Sequence, residues 1–174
     1  LHTLTKLELL SDLANKENLS ILYRNLRQIS LNKLIGLYIW DPIAPCILLD
    51  EGLKNNYRKN ICTLAEELGH HFTGIRRNFM NTDTYQDLIT VAKDETQAMR
   101  WATNYLINDA ELTYAVSKLK FRSCWELADY FEVTQPFMWK KLGFRHTDIK
   151  VRSRDIFNVN LAPCNYNKKN NLLY

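Results

Sequence analysis

The seven residues Ala65-Glu66-Glu67-Leu68-Gly69-His70-His71 carry the most legible chemistry in this chain. They have the form of the zinc-binding helix HExxH with its first histidine replaced by Glu66. In an intact pattern, two ligands one helical turn apart project from one face. The glutamate beside the first ligand takes a proton from the water that the metal holds. Here Glu66 and His70 have the ligand spacing, and Glu67 stands at the base position. The same spacing recurs one residue on, between Glu67 and His71, but that frame puts Leu68 where the proton acceptor belongs, and leucine accepts none. The first frame is therefore the better chemistry. Gly69 leaves room on this turn for close approach of another backbone. The alternative is a solvated helix face that carries adjacent glutamates and histidines with no metal.

A catalytic zinc usually takes three protein ligands and a water. The candidate for the third is Glu95, which continues the stripe of Ala98, Trp101, Ala102, Tyr105 and Leu106 along a predicted helix. A carboxylate on a buried face is costly unless it is paired or metal-bound. The alternative for Glu95 is an acidic residue near a helix start, favoured by the macrodipole. His2 sits near the chain start and His146 in a predicted loop, and neither has a spacing that ties it to the site. His71 is expected to contact a neighbouring group or to be solvated, in preference to orienting a substrate.

These residues need elements to hold them, and the hydrophobic pattern predicts a mainly helical α+β chain. Leu4, Leu7, Leu10 and Leu13-Ala14 mark a helix over 4–16. Residues 18–33 are ambiguous: Ile21-Leu22 and Leu26 suit a short helix, and Ile29 and Leu31 the start of a strand. Leu34 to Trp40 reads as a strand, broken by Asp41-Pro42 and Ala44-Pro45, and Cys46 to Leu49 reads as its hairpin partner. The period then turns helical from Asn56 to Phe72, with Gly74 as the stop. A surface loop is predicted over 73–84, a short helix from Tyr85, and a separate helix from Lys93 to Ile107. Three more helices follow, at 109–119, 123–131 and 136–142. The Asn- and Lys-rich residues after 160 read as a flexible tail.

The chain of 174 residues is long enough to bury a core, and its 46% hydrophobic and 24% charged residues are those of a globular protein. A net charge of +4 permits an acidic partner without demanding nucleic acid. Cys46, Cys62, Cys124 and Cys164 are widely spaced and form no CxxC, so they read as reduced thiols in a cytoplasmic protein. No secretory pattern opens the sequence, and no apolar run approaches the roughly 18 residues of a membrane span. The segment from Cys124 to Leu142 has the outline of a helix-turn-helix. Its second helix opens Gln135-Pro136-Phe137-Met138-Trp139, too apolar for reading bases. Packing against a core or partner is the expectation there, and direct nucleic-acid binding is not.

In order along the chain, these pieces resemble the ImmA/IrrE family of metallopeptidases, often found on phages and other mobile elements. The resemblance runs from about Leu34 to Leu142. It rests on the strands Gly36-Leu37-Tyr38 and Ile47-Leu48-Leu49, then on the helix with Glu66-Glu67-Leu68-Gly69-His70. The pattern Glu95-Thr96-Gln97-Ala98-Met99-Arg100-Trp101-Ala102 follows, and then Leu127-Ala128 with Phe131-Glu132-Val133-Thr134. It implies a zincin-like minimal metalloprotease core with a small β-sheet over residues 1–120. A helix-turn-helix-like extension over 121–160 would pack on that core, and 161–174 would form the flexible tail. It also implies a zinc-dependent endopeptidase that cleaves a helix-turn-helix repressor. His70 and Glu95 match family ligands and Glu67 the general base. At position 66 the family has histidine. A Glu66–His70–Glu95 set is harder and more anionic, and would suit manganese as well as zinc. The rival expectation is a catalytically impaired protein that regulates a repressor by binding it.

Overall fold

The structure, a computed structural model, describes residues 4–28, 34–74 and 85–152. The histidine at position 2, the segment 75–84 of the predicted surface loop, and the predicted tail lie outside the described residues. So do Ile29 and Leu31. The chain is mixed α+β and mostly helical, and it divides after Leu106 into two compact units.

The first unit begins with α1 (Lys6–Lys16), where Thr5 and Glu8 form a capping box. That box satisfies backbone donors that a helix start otherwise leaves exposed. Strand β1 (Ser20–Arg24) follows, then β2 (Gly36–Ile39) and β3 (Cys46–Asp50). The sheet order is β1-β3-β2, with β1 parallel and β2 antiparallel to β3. The hairpin expectation for β2 and β3 holds, with Gly36 opposite Leu49 and Tyr38 opposite Ile47. The helical option for Ile21-Leu22 does not. Ile21 pairs with Ile47 and Leu22 with Leu48, a parallel partner distant in sequence that local periodicity could not reveal.

Helix α2 (Tyr57–Phe72) starts at Asn56, whose side chain accepts from the Lys59 N–H, and stops before Gly74 at φ +77°. Ile61, Leu64, Ala65 and Leu68 of its expected stripe are buried, and Phe72 is half-buried. One helix, α3 (Tyr85–Leu106), stands where two were predicted. It contains no Gly or Pro, and the β-branched run Ile89-Thr90-Val91 lowers helix propensity without breaking the backbone ladder. Ala98, Ala102 and Leu106 are buried as expected. Tyr105 is exposed instead, and stacks on Trp101, which stacks in turn on Phe72.

The second unit holds α4 (Asp109–Ser117), α5 (Cys124–Tyr130) and α6 (Gln135–Arg152). Asn108 caps α4, and a Ser123–Glu126 capping box starts α5. Leu112, Leu127, Phe131, Val133, Phe137 and Met138 are buried. Helix α6 runs well past the predicted end at residue 142, so His146 lies on a helix and not in a loop. Gly143 is exposed there, and one solvated glycine weakens a helix by only about 1 kcal/mol. Among the described residues, no helix is long and apolar enough to cross a membrane.

Candidate metal and catalytic site on α2 and α3

The site lies where α2 crosses α3, and Gly69 sets the distance between them. A Cβ built on Gly69 would fall 2.3 Å from the Ala98 carbonyl oxygen and 3.0 Å from the Ala98 Cα. The two backbones therefore touch at a glycine facing an alanine. One turn before Ala98 stands Glu95, and one residue after Gly69 stands His70. The close crossing delivers Glu95 to His70, with Nε2 of the imidazole 3.6 Å from the Glu95 carboxylate.

The ring is 5% exposed, and burial pulls its pKa down to about 4. His70 is thus neutral at pH 7, so its contact with Glu95 is not an ion pair. The separation is also long for a hydrogen bond. It is close to a different distance: two donors on a tetrahedral zinc, with bonds of about 2.0–2.2 Å, stand roughly 3.4 Å apart. A neutral imidazole nitrogen and a carboxylate oxygen so spaced fit a divalent metal in donor type and in separation.

Glu66, four residues before His70, shares its helix face and is half-buried. Among the described residues, no group of three or more His, Cys, Asp and Glu side chains is gathered closely enough to hold an ion. The structure brings His70 and Glu95 together and places Glu66 beside them on the same face, without closing a three-ligand cage.

Glu67 lies in the gap between α2 and β2, within electrostatic reach of Glu66 and Glu95. It is 8% exposed. A Cβ on Gly36 would lie 2.5 Å from the Glu67 carboxylate oxygen and 2.6 Å from the Thr63 methyl, so the strand crosses the helix directly over Glu67. Burial raises the Glu67 pKa well above its ordinary value. The neighbouring Glu66 charge raises it further, the backbone N–H of Tyr38 donates to it and opposes the rise, and Glu95 adds to it. Burial and like charges make this carboxyl more basic than an ordinary glutamate, the direction a proton acceptor requires.

His71 is half-buried and held on both sides. The Tyr38 hydroxyl lies 3.0 Å from Nδ1, and Glu17 of α1 lies 3.4 Å from Nε2. Of the two expectations for His71, contact with a neighbouring group is the one observed. Sequence reasoning missed Gly36, Tyr38 and Glu17. A glycine inside a short strand was the available signal, because it marks close approach of another element. Cys62 and Cys124 are buried, Cys46 is half-buried, and Cys164 lies outside the described residues. No protein-family model, curated protein or solved structure matches the chain.

Proposed function

We propose that the first unit is a zincin-like metallopeptidase core, and that the chain cleaves a protein substrate of the helix-turn-helix repressor class. The observation that carries the peptidase reading is the α2–α3 crossing. It sets a neutral His70 nitrogen 3.6 Å from the Glu95 carboxylate, with the buried, basic Glu67 on the next residue register of the same helix.

His70 and Glu95 would hold a divalent ion, with Glu66 as the third donor on the shared face. When bound, zinc or manganese would supply Lewis acidity at the scissile carbonyl. Glu67 would take the proton of the attacking water and pass it to the leaving amine, a role its raised basicity suits. The repressor as substrate rests on the family resemblance of the motifs. The helix-turn-helix-like reading of α5 and α6 rests on the pattern of residues from Cys124 to Leu142 as well as on that resemblance. A cytoplasmic location accords with both.

The replacement of histidine by Glu66 favours one competing account, in which the chain binds a repressor without cutting it. Zinc titration of the parent and Glu66→His proteins, run beside cleavage of a candidate repressor, separates the two. Glu66→His should bind zinc more tightly, because imidazole is the softer donor. Unchanged or weaker affinity would remove position 66 from the ligand set. Metal-loaded parent protein that leaves the repressor intact, yet relieves repression, would replace the peptidase by the binder.

A further inference from the structure

Helix α2 presents two registers of residues four apart, and the structure sends them to different neighbours. Glu66 and His70 share the register that meets Glu95. Thr63, Glu67 and His71 share the next, and all three meet β2: Thr63 and Glu67 at Gly36, Glu67 and His71 at Tyr38. Tyr38 thus makes two bonds to one helix face, one turn apart. Its backbone N–H donates to the Glu67 carboxylate, and its hydroxyl meets the His71 ring.

Among the described residues, strand β2 is at the edge of the sheet, and the ladder ties it to β3 on one side only. Its height and tilt over α2 need a second anchor. Gly36 permits the close approach, and Tyr38 fastens it. The His71 ring is oriented for this by its other nitrogen. With the Nε2 proton directed at Glu17, 3.4 Å away, Nδ1 keeps its lone pair and accepts the Tyr38 O–H at 3.0 Å. The rings of Tyr38 and His71 also meet edge-on, with centroids 5.6 Å apart and planes at 73°.

We propose that His71 is a positioning residue for the base: it anchors the Tyr38 hydroxyl, and Tyr38 through its backbone N–H aims the Glu67 carboxylate. A glutamate side chain left to itself samples several rotamers. Here the strand fixes the carboxylate from above while the helix carries it from below. This inference rests on the peptidase reading for its catalytic consequence, and on the Tyr38–His71–Glu17 chain for its geometry.

The test uses Tyr38→Phe, His71→Leu and His71→Asn in the full chain. Tyr38→Phe keeps the ring and the backbone N–H and removes only the hydroxyl. His71→Asn puts a carboxamide about where Nδ1 stood, and His71→Leu puts nothing polar there. The first readout is hydrogen exchange of the position-38 amide in metal-free protein, which needs no activity. Exchange should quicken about 10-fold in Tyr38→Phe and His71→Leu and stay near the parent rate in His71→Asn. The second is repressor cleavage. The first two variants should lose roughly 10- to 100-fold in kcat, the range seen when a supporting hydrogen bond at a metal site is removed. KM and zinc affinity should stay unchanged, and His71→Asn should recover most of the rate. An unchanged amide exchange rate in Tyr38→Phe overturns the proposal, as does equal loss in His71→Asn and His71→Leu. The expected exchange pattern in the three variants, with a parent protein that cleaves nothing, would uphold the positioning chain and reject the peptidase reading instead.

Discussion

Glu67 and Lys141 are both buried ionisable side chains, one in each compact unit, and their surroundings are opposite. Lys141 on α6 is 2% exposed, and its ammonium lies 2.7 Å from the Asp109 carboxylate at the start of α4. Arg145, one turn further along α6, donates to the Thr113 hydroxyl at 2.6 Å and to the Asp109 carbonyl. That corner of the second unit sets opposite charges against each other. Glu67 is buried beside two more carboxylates, Glu66 and Glu95, each of which pushes its pKa upward. A counter-ion offsets part of the desolvation cost of a buried charge, whereas buried like charges add to it.

The sharpest way to break this contrast is Glu67→Gln. Cleavage of a repressor should fall by about 10²- to 10⁴-fold, because an amide cannot accept the proton. Stability should move the other way. The folded chain holds the Glu67 carboxyl above its ordinary value of 4.5 and so favours the protonated form. That contribution is complete below the unfolded value and is lost as pH rises through the raised folded value. In metal-free protein, the melting temperature of Glu67→Gln relative to the parent should therefore climb as pH rises above 4.5. A constant difference across that range would mean that Glu67 is not held in its neutral form by the fold.

Gly69→Ala tests whether the crossing itself makes the site. The added methyl would meet the Ala98 backbone at 2.3 Å, and two helix backbones must separate to admit it. Overpacking of this kind costs about 1–3 kcal/mol, read by urea unfolding. Zinc affinity should fall at least about 10-fold as Glu95 withdraws from His70. Loss of stability with full metal affinity would show that His70 and Glu95 do not depend on the close approach.

Lys141→Met should do least. Asp109 is 67% exposed at its side chain, so removing the ammonium leaves no buried orphan charge, and methionine keeps most of the packing. Unfolding free energy should stay within about 1 kcal/mol of the parent, with zinc affinity unchanged. A loss above about 3 kcal/mol would make the pair equivalent to a fully buried one and erase the difference between the two regions.

Local order was legible because it depends on neighbours in sequence. The spacing of Glu66, Glu67 and His70 followed from the helical period, and so did the buried stripe from Ile61 to Leu68. The β2–β3 hairpin followed from two apolar runs and a proline-marked break. Gly69 announced a close approach without saying to what. The tertiary structure alone decided that the backbone at Ala98 fills that gap and brings Glu95 to His70. It also decided that β1 pairs parallel with β3, and that an edge strand lies over Glu67 with Tyr38 reaching His71. Each of these joins residues far apart in the chain, where periodicity carries no information. The partner is chosen by which surfaces exclude water together and which backbones can touch. The two registers of α2 were equivalent as spacing; their neighbours made one a candidate metal face and set the other against β2, with Glu67 beneath the strand.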